Sequence, residues 1–397
     1  MGYRLAVAAA ICALIAWPLA CSNSGDDQTS ALAPDAASPA DAQLPDATVD
    51  TGPAEEAAVE ATIDAPATLD AGLDADLDAP EAAPCVMDTA GEPTELRCTG
   101  LYSDWPSRTI APDVQVYDPG LHLWSDGAVK TRWIYLPPNT TIDTSNMDEW
   151  VFPVGTKFWK QFVVDGVLVE TRMLHKLAAS SWYATTYEWT PDGSTTAELR
   201  MGALDVNDSG YEIPNQTKCL ECHQGRIDYV LGFEAVSLSS PGASGLPMAT
   251  LAARNLITVP PEAPLVVPGN PTESAALGYL HANCGTTCHN ANGLASSTGF
   301  YMRLDVAYLG SVAATDTFHS GWNVATTTFH GAPERIAQCS LQNSCVYYRM
   351  SHRDGINDAA LGSQMPPIDT HRVDPTGMAA IAAWIGEGCD GGADGGI

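Results

Sequence analysis

Residues 157–174 read KFWKQFVVDGVLVETRML. Two runs rich in β-branched and aromatic residues flank Asp165-Gly166, a pair suited to the positive φ angles of a two-residue hairpin turn. The arrangement recurs downstream. SWYATTYEW (181–189), the turn TPDG and STTAELRM (194–201) predict a second hairpin. VKTRWIYL (129–136) and DEWVFPV (148–154) predict shorter strands. Trp133, Trp150, Trp159, Trp182 and Trp189 fall in these runs, as a β core requires. The expectation is an antiparallel β-sandwich or barrel occupying 85–215. Trp124 to Gly127 (WSDG) reads as a turn. No Ser/His/Asp set or carboxylate pair stands out here. His122 and His175 read as ordinary β-domain histidines that could still reach a cofactor.

Beyond the second hairpin, residues 218–223 read KCLECH, a CxxCH pattern. Two thiols at this spacing can add to the two vinyl groups on one edge of a porphyrin. The next residue then presents an imidazole below the iron. Other uses of such a pair are a disulfide, half a zinc knuckle or a thioredoxin-like redox couple. Zinc needs two further ligands at close spacing. A redox pair opens the helix of a βαβ unit, whereas YEIPNQTK, just before the motif, reads as a loop. Covalent haem on Cys219 and Cys222 with His223 as proximal ligand is the expectation. The distal ligand stays open among Met201, Met248, His175 and His281.

Residues 284–289 read CGTTCH, a CxxxCH one residue longer than the first motif. Pro271-Thr272-Glu273 opens a helix, TESAALGYLHANC, that runs into Cys284 and carries Leu277, Tyr279 and Leu280 on an apolar face. Later comes Gln364-Met365-Pro366-Pro367, then DPTGMAAIAAWIGEG, with Asp374 as N-cap and Pro375 in the first turn. Met378, Ile381, Trp384 and Ile385 repeat at helical spacing. Helix, Cys/His motif, Met in a proline-bounded loop and closing amphipathic helix: this order resembles a class I cytochrome c domain. The resemblance implies that the first and last helices cross and that Met365 is the distal ligand opposite His289. Met350, in YYRMSHRD, is the rival. A Cys284–Cys288 disulfide is the alternative to a second haem.

The N-terminus reads MGYRLAVAAAICALIAWPLACSNSG. Arg4 and the 16-residue apolar run Leu5–Ala20 suit a secretory signal rather than a bilayer span. The segment resembles a bacterial lipoprotein signal, with Cys21 as the lipidated residue, although Pro18 stands where that pattern prefers Leu. Residues 22–84 contain 15 Asp+Glu, no Lys or Arg, no aromatics and no Cys, which describes a self-repelling disordered tether. The formal net charge is −30, of which residues 85–397 account for −16. That balance excludes nucleic acid as a partner. Among the remaining cysteines, Cys85–Cys98 and Cys339–Cys345 are the short-range disulfides expected. Cys389 is then left over, free, paired between molecules, or a sign that this pairing is wrong.

Taken together, WVFPVGT (150–156), ETRML (170–174), Trp182 to Trp189, the CxxCH, Tyr279 to His289, Arg349-Met350, Met365-Pro366-Pro367 and Trp384-Ile385 resemble a family of exported bacterial di-haem c-type cytochromes of unknown role. The added residue between Cys284 and Cys288 departs from its pattern. The chain is accordingly expected to be an α+β multidomain protein. Its parts are a signal peptide (1–20), tether (21–84), β-rich domain (85–215), first haem-binding segment (216–267), mainly α-helical cytochrome c-like domain (268–389) and flexible tail (390–397). Two haem c groups, electron transfer to redox partner proteins, and a lipid anchor in the outer membrane facing the periplasm or the cell surface are implied. A peroxidase- or oxidase-type haem enzyme is the alternative, disfavoured because the two motifs lie only about 65 residues apart. A β-domain binding module with a fused cytochrome ranks last.

Overall fold

The computed structural model describes residues 83–327, 329, 331–353 and 364–389. The signal segment, Cys21, nearly all of the acidic tether and the tail from 390 lie outside the described residues. The strands in chain order are β1 (Tyr102–Asp104), β2 (Thr109–Ile110), β3 (Val114–Tyr117), β4 (Val129–Tyr135), β5 (Lys157–Val164), β6 (Val167–Ala178), β7 (Ser181–Trp189) and β8 (Thr196–Glu198). Strands β3 to β8 form one six-stranded antiparallel sheet in sequence order, and β1 and β2 pair separately. The described β structure is thus a meander with a small hairpin, where a two-sheet sandwich or a closed barrel was expected. Asp165 and Gly166 have φ of 50° and 82°, the two positive angles of the turn that joins β5 to β6.

Two expectations about strands are corrected. Residues 148–154 do not form a strand. Val151 makes a single bridge to Asp143, Phe152 donates its N–H to Asp228 Oδ2 at 2.6 Å, and Pro153 has no N–H to give to a ladder. Trp150 and Phe152 instead bury their rings in the core. Strand β3, not expected from the sequence, forms the sheet edge beside β4.

The alternation of β5 sorts its side chains onto two faces. Trp159 packs with Trp133, Met173, Tyr187 and Trp189 beneath Leu96 and Leu101. Phe158 lies on the opposite face with Ile134 and meets Phe233, Leu238, Met248 and Leu251. The latter come from α2 (Ala235–Ser239), α3 (Met248–Ala253) and the loops around them. They follow α1 (Gln216–His223), which carries the first Cys/His motif. The sheet is therefore covered by chain from both sides of residue 215, and residues 78–397 cluster as one unit.

The remaining helices are α4 (Pro271–Leu280), α5 (Asp316–Gly321), α6 (Cys345–Ser351) and α7 (Pro375–Ile385). Asn270 caps α4 in a capping box with Glu273. Asp374 accepts from the N–H groups of Thr376 and Gly377 at the start of α7, as its sequence context predicts. The two helices share a core of Leu277, Leu280, Ile381, Trp384 and Ile385. They approach so closely that a Cβ on Gly377 would fall 2.1 Å from Tyr279 Cζ. Cys85–Cys98 is bridged as expected. Cys339 pairs with Cys389, not with Cys345. The end of α7 is held beside Cys339 by the Cys339 N–H bond to the Ile385 carbonyl, 2.9 Å. Among the described residues no helix is long and apolar enough to cross a membrane.

Candidate functional site

In α1 the thiols of Cys219 and Cys222 are three residues apart, so one turn of helix puts them on one side. His223 ends the helix. Its Nδ1 donates to the Tyr229 carbonyl, held within a tight turn just beyond. A carbonyl can only accept, so the proton sits on Nδ1 and the lone pair of Nε2 is left free. Burial lowers the imidazole to about 4, which keeps it neutral and available as a ligand.

The second motif reaches a comparable arrangement by another route. After α4 the chain runs into a π-helical turn, His281–Gly285, and then returns to an i→i+4 bond from the Cys288 N–H to the Cys284 carbonyl at 3.1 Å. Residues four apart on such a turn also share a face. The extra residue of CxxxCH leaves Cys288 in the lining of the cavity described below and Cys284 packed against the core of α4 and α7. His289 Nδ1 donates to the Phe300 carbonyl at 3.0 Å, and burial lowers this imidazole too. Among the described residues neither His223 nor His289 has a hydrogen-bond partner at Nε2.

The four thiols are unbridged. Burial, with the neighbouring Cys288 adding to it, pushes Cys222 and Cys284 up to about 12. Burial raises Cys219 and Cys288 as well. A redox CxxC works through a thiol whose pKa is lowered, whereas burial here shifts all four thiols the other way. Among the described residues no group of three or more His, Cys, Asp or Glu side chains is placed to hold a metal ion.

Cys219, Cys222, His223 and Cys288 line one cavity. Its apolar lining includes Phe158 and Phe162 from β5, Leu174 from β6, and Val230 and Leu231 after α1. Pro366, Pro367 and Ile368 close another side. That loop is pinned across the cavity: Lys218 Nζ bonds Glu212 at 2.9 Å and Asp369 at 3.1 Å, and Asp126 accepts the N–H groups of His371 and Arg372. The two motifs touch. Cys288 shares the cavity with Cys222, and a Cβ on Gly225 would fall 1.9 Å from the Thr287 carbonyl oxygen.

Cys284, His289 and Met365 lie outside this lining. Met365 is half-buried, and its N–H bonds the Arg349 carbonyl at 2.9 Å. Met350 is buried in the core shared by α4, α6 and α7. None of the four residues left open as distal ligand lines the cavity. Met201 is 85% exposed, and Met248 is buried against Leu251 and Phe233. His175 Nδ1 contacts Glu92 at 2.9 Å. His281 has both nitrogens engaged, by the Leu304 N–H at 2.9 Å and by Glu234 at 3.3 Å. His122 lies beside Asp118 at 3.3 Å, also outside the lining.

Sequence reasoning missed the β-sheet wall, and with it Lys160 and Arg172. The available signal was the alternation FWKQF, which sets Lys160 on the same face as Phe158 and Phe162. Comparison of the chain with protein-family models, with curated proteins and with solved structures finds no match.

Proposed function

We propose that this chain is an exported c-type cytochrome that holds haem covalently and passes electrons. The observation that carries the proposal is the paired histidine arrangement: each motif imidazole donates Nδ1–H to a backbone carbonyl and keeps Nε2 free, beside two unbridged thiols. A bond of this kind at the other ring nitrogen fixes the tautomer and orientation of a metal-binding histidine. The cavity supports the same reading for the first motif, because its mainly apolar lining gathers both thiols and the imidazole of that motif.

When bound, haem supplies a one-electron change at iron. Cys219 and Cys222 would tether the first group and Cys284 and Cys288 the second, with His223 and His289 as proximal ligands. Met365 remains the proposed sixth ligand of the second site, held by a loop that Pro366 and Pro367 stiffen. The side chains of Phe158, Phe162 and Leu231 would exclude water from the first ring. Contact between the motifs at Gly225 and Thr287 favours electron exchange within the chain. Export and lipidation at Cys21 belong to the same proposal, and redox partner proteins would supply and collect the electrons.

The test is a pyridine haemochrome assay with protein quantitation, on chain matured by a c-type haem lyase system. Two haems per chain are expected, falling to one in Cys222→Ser and to one in Cys288→Ser. One haem, lost in Cys222→Ser, would reduce the second motif to structural cysteines and Met365 to a packing residue. No covalent haem would sink the cytochrome reading.

A further inference from the structure

The sheet wall of the cavity carries cations where physics disfavours them. In the register of the sheet, Arg132 on β4 lies directly opposite Lys160 on β5, and Lys160 lies directly opposite Arg172 on β6. Like charges facing one another across a ladder destabilise it. Lys130 stands two residues from Arg132 on the same face. This concentration occurs in a chain whose net charge is −30.

The outer members of the row have acids. Arg132 bonds Asp118, and Arg172 makes a two-point contact with Glu170 at 2.6 and 2.9 Å. Lys130 Nζ is satisfied by the Leu123 carbonyl at 2.6 Å. Lys160, at the centre, has no carboxylate and no hydrogen-bond partner among the described residues. Its Nζ lies 6.0 Å from the centre of the Phe162 ring. The two acids lining the cavity, Glu212 and Asp369, are both taken by Lys218. Burial, with Arg132, Lys130 and Arg172 adding to it, drives the Lys160 ammonium well below its usual value.

We infer that Lys160 and Arg172 in the cavity wall, with Arg132 beside Lys160 in the sheet, form an anion seat in which Lys160 directly contacts a propionate carboxylate of the first haem. This rests on the cytochrome reading above. A carboxylate at Lys160 supplies the charge that the row lacks, and in a partly desolvated site such a pair is strong. The β-sheet would then help to hold the group through Lys160 as the thiols of Cys219 and Cys222 would hold it through α1. A cation beside the ring favours the reduced iron, which carries one positive charge fewer.

The experiment uses the matured full chain and its Lys160→Ala and Lys160→Arg variants. Covalent haem content, optical spin state and midpoint potentials are measured on each. In Lys160→Ala one midpoint should move to lower potential, the other should stay in place as the fold control, and the spin state should not change. Lys160→Arg, which keeps the charge, should return the shifted midpoint toward wild type. Loss of haem uptake in Lys160→Ala but not in Lys160→Arg would also support the seat. Unmoved midpoints in Lys160→Ala with haem retained would overturn it. So would a change of spin state in both variants, which would make Lys160 an iron ligand. Failure of the premise is separate and visible: wild-type chain without covalent haem on Cys219 and Cys222.

Discussion

At Lys130 burial and like charge act in the same direction. The ammonium is pushed down to about 7, by burial first and then by Arg132 and Arg172. The unfolded chain holds that proton up to about pH 10.4. Between these two values the unfolded state binds more protons than the folded one, so stability rises with pH through the window. Below about pH 7 the cost of a charged Lys130 is present in full. Denaturant unfolding of haem-free chain should therefore show stability climbing from about pH 7 to about pH 10. Lys130→Met should flatten the climb and stabilise the chain at about pH 7 by at least the ~1.4 kcal/mol that one pKa unit represents. A variant less stable than wild type at that pH, with the slope intact, would show that the Leu123 carbonyl bond matters more than the charge. Such a residue is illegible in sequence, because VKTRW does not say that its lysine faces a second lysine and two arginines. Only the register of β4 on β5 and β6 does.

Helices α4 and α7 were legible because their signals are local. A capping box at Asn270 and an Asx cap at Asp374 need nothing beyond three or four neighbouring residues. The hairpin at Asp165-Gly166 was readable for the same reason. Segment 148–154 was not, because the N–H that would have joined a ladder goes to Asp228, 76 residues along the chain. The pairing of Cys389 was hidden likewise. Ring closure over a short loop favours Cys345 as partner of Cys339, but packing of α7 against α4 returns its end to Cys339. The crossing itself makes a sharp prediction. Gly377 lies inside α7, where Gly→Ala ordinarily stabilises by about 0.5–1 kcal/mol. Here the new methyl would lie 2.1–2.4 Å from three atoms of the Tyr279 side chain. Overpacking of about 1–3 kcal/mol should win. Thermal melts should place Gly377→Ala below wild type, and the Tyr279→Leu background should remove most of the difference. A Gly377→Ala variant that melts higher would show that the helices can separate freely at this point.

At the scale of the whole molecule, the sheet and the motif-bearing segments are one folding problem. Ile134 and Phe158 from the sheet are buried against Phe233, Leu238 and Leu251, all of which follow residue 215. Full burial of one such side chain stabilises by about 1.5–3 kcal/mol, and a native domain has only about 5–15 kcal/mol in total. Uncovering several of them exhausts that margin. A fragment ending at residue 215 should lack a cooperative unfolding transition and the slow amide exchange of a native sheet, whereas 83–389 should unfold in one transition that includes both. A sharp transition in the fragment would restore the possibility of an autonomous β-domain with a ligand of its own. If the fragment is unfolded, the sheet serves the cavity. On the cytochrome reading its aromatic face would exclude water from the first motif, Lys160 and Arg172 would meet the anionic edge of what binds there, and the loop after Met365, pinned by Lys218 and Asp126, closes another side. On the cytochrome reading proposed above, a sheet that folds only together with the motif-bearing segments would be a wall of the first site, not an autonomous binding module.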